Sequence, residues 1–351
     1  MRPSRLPGWK TRGFGFAAVI CVTAFGCELL LPVDGLHPEY PDDAGVGDSG
    51  AADAPSEGGC LMTARAQQSC AGDAGSICGL AGNQDCCASS YVQGGTYHRG
   101  GYATSDGGIA TEPDDIAAVS DFYLDDYEVT VGRFRRFVAE SCITPAPGAG
   151  AHPNIPGSGW SEVFQLSPDG PTLSAQLGTC LGGSPGSFAG SDDALPVNCV
   201  HWAEAFAFCI WDGGRLPTEA EWNYAAAAGA QQRYYPWSIP PFSTEIDPSR
   251  ANYGTAAVTR VGSMPDGGGL YGQLDLGGNV AEWVLDWYQS PYPPCGAADC
   301  ATIATDASVP FRVSRGGVFS QGPTNLTTFS RQFIDPGTRS VARGVRCARD
   351  P

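Results

Sequence analysis

The chain has 351 residues and a net charge of −17, with no basic stripe after its first dozen residues, which excludes nucleic acid as a partner. Its only lysine is Lys10, so a chain trimmed at the N-terminus has none for a Schiff base or a P-loop. The 48 glycines, 28 prolines and 16% charged residues describe a loop-rich body held by tight turns, with room for one domain of about 250 residues plus appendages.

The first 26 residues read as a secretory leader: a basic start, an apolar run from about Phe14 to Phe25, then Gly26 before Cys27. The run is too short for an ordinary transmembrane span. A small residue before cysteine is the pattern of a bacterial lipobox, with Cys27 as the lipidated residue. We expect a lipoprotein at the cell envelope, with plain secretion as the alternative. Residues 27–59 are acidic and hold almost nothing to bury, as expected of a disordered linker. Export makes the remaining 12 of the 14 cysteines structural.

Residues 60–88 hold Cys60, Cys70, Cys78, Cys86 and Cys87. The segment is too short for its own core and lacks Cys-x-x-Cys knuckles, so bridges rather than zinc are expected to hold it. Five is odd, so one of these cysteines should pair with the body.

From residue 89 the pattern becomes globular. "EVTVGRFRRFVAE" predicts a helix capped by Thr130, with Val131, Phe134, Phe137 and Val138 on one face. "VHWAEAFAFCIWDGG" repeats that spacing and ends at Gly213 and Gly214. "RLPTEAEWNYAAAAGA" carries a capping box, Thr218 with Glu221, and stops at Gly229. "NVAEWVLDWY" alternates as a strand, with Val280, Glu282, Val284 and Asp286 on one side and Trp283, Leu285 and Trp287 on the other. These pieces make an irregular α+β domain over residues 89–351, without an internal repeat. His98, His152 and His201 contain no His-x-x-x-His pair, and Ser320 sits in no nucleophile elbow. His201 reads as a helix-start or packing residue.

The order of these fragments resembles the formylglycine-generating-enzyme, or sulfatase-modifying-factor, domain. The matching stretches are "YVQGGTYHRG", "FYLDDYEVTVGRFRRF", "PVNCVHWAEAFAFCIWDGGRLPTEAEWNYAAAAG", "YYPW" with Ala251 and Asn252, "VGSMPDGGGLYGQLDLGGNVAEWVLDWY", "RVSRGGVFS", Arg331 and "RGVRCARD". The resemblance implies a C-type-lectin-like α+β fold with little regular secondary structure. It implies a structural calcium ion held by the Asp275 and Glu282 side chains and the Gly278 and Val280 carbonyls. Hard oxygen donors converging from a glycine-rich turn suit that ion independently. A second family calcium site would fall on Asn252 and the Tyr253 carbonyl, but this chain shortens the loop that supplies its other ligands. The resemblance also implies a disulfide between Cys209 and Cys347. Among the rest, Cys295 with Cys300 is geometrically easiest.

Family chemistry oxidises a sulfatase cysteine with oxygen and copper(I), and it needs two cysteines after the Arg-Gly-Gly turn because soft thiolates select copper(I). Counting from Arg315, those positions carry Gln321 and Leu326. The serine after Arg-Gly-Gly is Val318, and the tryptophan expected before Glu282 is Ala281. Cys295 and Cys300 have the Cys-x4-Cys spacing but lie about twenty residues too early. Calcium is therefore expected and copper is not. The expected function is a binding or accessory module, monomeric, anchored in the membrane through Cys27, with Arg315, Gln321 and Arg331 lining a cleft for an envelope protein or peptide. The alternative is an oxidoreductase of the formylglycine-generating type with a non-standard redox site.

Overall fold

Four short helices nucleate where side chains can close their free N-termini. A computed structural model of the chain describes residues 61–71, 75–110, 115–166, 169–295, 299–303 and 310–351. Cys27, Cys60 and the acidic linker lie outside them. Helix α1, Val131–Val138, starts where the Thr130 hydroxyl accepts from Arg133 N at 3.2 Å. Helix α2, Gly170–Leu177, starts where Asp169 accepts from Thr172 N at 2.7 Å. Helix α3, Trp202–Trp211, is buried along its whole length, and Glu204 reaches back to the His201 N–H at 2.8 Å. Helix α4, Glu219–Ala226, has both halves of its capping box: Glu221 N donates to Thr218, and Thr218 N donates to Glu221. None of the described helices is long and apolar enough to cross a membrane.

The strands are brief. β1 (Ser89–Val92), β2 (Gly95–His98), β3 (Tyr102–Ala103), β4 (Ile109–Ala110), β5 (Ile116–Val119) and β6 (Phe122–Asp125) precede the helices. β7 (Ala281–Trp287), β8 (Arg312–Arg315), β9 (Gln332–Ile334), β10 (Arg343–Gly344) and β11 (Ala348–Arg349) follow them. The described sheets have the orders β1-β6-β11, β10-β7-β8-β9, β2-β5 and β3-β4. The last strand thus returns to pair with β6, which closes the body on itself.

β7 is the central element, and it is buried on both faces. One face, Trp283 and Leu285, joins the main core of Phe134, Phe137, Phe208 and Trp211 from α1 and α3. The other, Val284, packs with Trp222 of α4 and with Leu276 and Val313. The tryptophans also satisfy buried carbonyls: Trp202 Nε1 donates to Val284 O at 2.8 Å and Trp283 Nε1 to Val200 O at 3.0 Å. The alternation read from the sequence survives, but neither side of β7 faces water.

Candidate functional site

The turn before β7 is built on unusual backbone. Asp275 (φ 60°), Gly278 (φ 99°) and Asn279 (φ 57°) all lie in the left-handed region, which costs little for glycine and is best tolerated by Asn and Asp among the rest. A Cβ on Gly278 would stand 2.5 Å from Asn252 O, a backbone atom that cannot swing away. Gly278 N donates to Gly316 O at 2.8 Å and Phe319 N to Asn279 O at 2.9 Å. The turn is therefore locked against the Arg-Gly-Gly turn at the end of β8.

Three carboxylates are buried around this turn: Asp275, Glu282 and Glu128. Glu282 accepts from both arms of Arg346 (2.7 Å each) and from Trp222 Nε1 (2.6 Å). Glu128 accepts from Asn279 Nδ2 (2.6 Å) and Val280 N (3.1 Å). Asp275 accepts from Gly262 N at 2.6 Å through one oxygen. Among the described residues, Arg346 is the one buried cation paired with them. Ionising all three carboxyls would leave two negative charges uncompensated. Burial pushes the Asp275 carboxyl up to about 6, and burial, with Asp275 and Glu282 nearby, pushes Glu128 well above its ordinary value. The excess matches a divalent cation in sign and size, and the donors are hard oxygens. The three carboxylates are not gathered within 4.8 Å of one another. A cation here would use Asp275 and the carbonyls of the turn, Gly278 and Val280, with Glu282 supplying mainly charge.

The region of Asn252 and Tyr253 has a different character. Asn252 Nδ2 donates to Ala257 O (3.0 Å) and Asn279 Oδ1 (3.1 Å), and its Oδ1 accepts from Thr255 Oγ1 (2.7 Å). Both ends of the amide are used in neutral hydrogen bonds.

The Arg-Gly-Gly turn begins with Arg315, which is fully buried. Its guanidinium contacts Glu219 (3.1 Å), Ser330 O (2.9 Å) and the Tyr292 hydroxyl (2.9 Å). It forms part of the interior instead of lining an open cleft. The cause is Glu219, delivered from the first turn of α4, which also takes Arg331 bidentately at 2.6 and 2.8 Å. Arg331 lies over Tyr292 at 3.9 Å from the ring centre and remains partly exposed. Burial alone would lift the Glu219 carboxyl, but Arg315 and Arg331 outweigh it and hold it below its usual range.

Gly316 and Gly317 have φ of 97° and 73°, and the chain then doubles back so closely that a Cβ on Gly317 would meet Asn325 O at 2.6 Å. Val318 and Ala281 are buried. Gln321, half-buried, accepts through Oε1 from Val318 N (3.2 Å) and Gln332 Nε2 (2.9 Å). Leu326 is fully buried among Tyr235, Trp237 and Ala251. Gln321 is thus an amide in a hydrogen-bond bridge, and Leu326 a hydrocarbon in an aromatic cage.

Residues 80–351 match the family model described as the sulfatase-modifying factor enzyme 1-like domain. The chain belongs to that family. Within it, the chain is similar to the formylglycine-generating enzyme of Thermomonospora curvata, 30% identical over 74% of this chain and 92% of that one. It is also similar to the inactive C-alpha-formylglycine-generating enzyme 2 of Mus musculus, 32% identical over 57% of this chain and 68% of the relative. A serine/threonine-protein kinase pkn1 of Chlamydia pneumoniae is 37% identical over 44% of this chain, and the chain spans about a quarter (24%) of that kinase's length. The solved structure of PvdO from Pseudomonas aeruginosa shares the fold, with a TM-score of 0.51 at 21% identity, covering 74% of this chain and 93% of that one. The α+β sulfatase-modifying-factor fold is thus established.

The family body is stapled throughout. Cys209 of α3 joins Cys347 beside β11, and further bridges join Cys70 to Cys87, Cys78 to Cys86, Cys180 to Cys199 and Cys295 to Cys300. Cys142 is disulfide-bonded as well, so all eleven described cysteines are oxidised. The gathering of Cys70, Asp85 and Cys87 is not a metal site, because its two sulfurs are bonded to each other. His152, a candidate ligand by residue type, lies buried 3.4 Å from Glu221, and His201 caps α3. Sequence reading missed Glu128 and Arg346 as partners of the calcium-type turn. Nothing local singled them out, because their segments, "YLDDYEVTV" and "RGVRCARD", carry other charges as well.

Proposed function

We propose that this protein is an exported, lipid-anchored member of the family that has lost formylglycine chemistry and works as a binding or accessory module at the bacterial cell envelope. One observation carries the reading. The two thiolate positions are Gln321 and Leu326, and no described cysteine is free to replace them. Copper(I) requires soft thiolate donors, and Cys295 with Cys300, the one pair at the right spacing, is closed in a bridge. The name of the mouse relative, an inactive enzyme, supports the same direction. The many disulfides favour an oxidising compartment, which agrees with the leader and with Cys27 as lipid attachment.

A structural calcium ion belongs to this reading, held by Asp275 and the Gly278 and Val280 carbonyls, with Glu282 and Glu128 supplying charge. The recognition face runs over Gln321 and Arg331, with buried Arg315 and Glu219 fixing the position of Arg331. An envelope protein or peptide is the proposed partner.

The test is catalytic. The purified protein is incubated with oxygen, copper(I) and a sulfatase-derived cysteine peptide, and aldehyde is sought by hydrazide capture and mass spectrometry. No aldehyde is expected. Aldehyde above the protein-free control would restore the oxidoreductase alternative.

A further inference from the structure

We propose that a cavity at the start of β8 binds a small organic acid, with its carboxylate paired to Arg312 and its apolar body along Phe164 and Leu166. The cavity measures about 680 Å³, and its walls include Phe164, Leu166, Trp202, Trp287, Arg312 and Pro336, a size and character suited to a small ligand. It opens at the end of β8 opposite the Arg-Gly-Gly turn, so it is separate from the degenerate copper position and does not depend on the function proposed above.

Arg312 is the reason to assign a ligand. It is only 2% exposed. Trp202 and Trp287 sandwich its guanidinium, with ring centres 3.6 and 3.7 Å from the central carbon. Both faces are thereby covered, and an approaching group must come in the plane. Nη1 donates to Leu285 O at 2.5 Å, whereas Nε is buried without an acceptor. Every other described arginine exposed by 2% or less has a carboxylate: Arg99 has Asp115, Arg133 has Asp125 and Asp212, Arg215 has Glu221, Arg315 has Glu219 and Arg346 has Glu282. Arg312 forms no ion pair among the described residues. The charge that attracts it, Asp286, spends its oxygens on Glu219 N and Thr302 N, both at 2.7 Å. A buried guanidinium lacking a counter-ion is costly, and a carboxylate is the group that best offsets its charge. The rim carries Asp335 and His201. A monoanion with an apolar body suits these walls better than a multiply charged phosphate would.

The experiment uses the full chain and isothermal calorimetry. Phenylacetate should bind about tenfold more tightly than the isosteric, neutral phenylacetamide. Arg312→Gln should erase that difference. Should that variant fail to fold by circular dichroism, Val163→Asp, at a position 79% exposed on the cavity wall, should weaken the acid at least about threefold and leave the amide unchanged. A free acid and a peptide C-terminus present the same group. Acetyl-glycyl-phenylalanine binding more tightly than phenylacetate identifies the peptide end, and the reverse order identifies the free acid. Equal affinities for acid and amide, or no phenylacetate binding to the folded protein at about 10 mM, would overturn the assignment.

Discussion

Asp275→Asn should change sign with calcium. In the metal-free protein, the Asp275 carboxyl rises from 3.8 to about 6 because it is buried beside Glu282. At neutral pH that rise is a cost of about 3 kcal/mol to the folded state. Asparagine keeps the acceptor for Gly262 N and tolerates the positive φ, so it removes the charge and little else. In EGTA at pH 7, the variant should melt roughly 5–10 °C above the parent. The gain should shrink as pH falls. A raised carboxyl makes the folded state bind its proton more tightly, so the metal-free parent recovers stability as pH drops from about 6 towards about 4. In calcium the order should reverse. A cation at about 1,000 times its dissociation constant stabilises the parent by about 4.1 kcal/mol, more than the variant's gain of about 3 kcal/mol, and the variant lacks a charged ligand. Differential scanning fluorimetry in EGTA and in millimolar calcium reads all of this. An Asn variant that melts lower by the same amount in both conditions would refute the reasoning, because Asp275 would then be a plain hydrogen-bond acceptor.

Other outcomes follow from the same geometry. Replacing Cys209 and Cys347 with alanine opens a loop spanning 138 residues and should cost about 5 kcal/mol by chain entropy, measured by urea unfolding; a loss below about 1 kcal/mol would contradict it. Glu219→Gln leaves buried Arg315 and its neighbour Arg331 without a counter-ion and should destabilise by about 3–5 kcal/mol, again by urea unfolding. Because Glu219 titrates below its ordinary value, its contribution should be present above about pH 4.5 and fade on further acidification.

Local signals were legible in the sequence, and long-range charge pairing was not. The Thr218–Glu221 box and the Thr130 cap are written within four residues, and both form as expected. Helix α2 escaped notice because Leu173 and Leu177 are its only large apolar residues, too few to set a period. The two-residue alternation of β7 was visible, but burial of both its faces depends on α3 and α4 arriving from some 60 to 80 residues upstream. Arg315 looked like a cleft residue because the resemblance puts it at the Arg-Gly-Gly turn, near Gln321 and Leu326. Its partner Glu219 lies about a hundred residues earlier, and the pair becomes apparent only in three dimensions. Glu128 was hidden for the same reason, since its neighbours Asp275 and Asn279 meet it only after the chain closes. That Gln321 and Leu326 carry no thiol was legible because it is a matter of residue type alone.

The central claim is that this family member has no copper-binding thiolate pair. The most direct measurement is a copper(I) competition titration of the non-reduced protein against a chromophoric chelator. The account predicts that the chelator keeps all of its copper. Transfer of one copper(I) per chain, with the short-wavelength absorption of thiolate coordination, would contradict it.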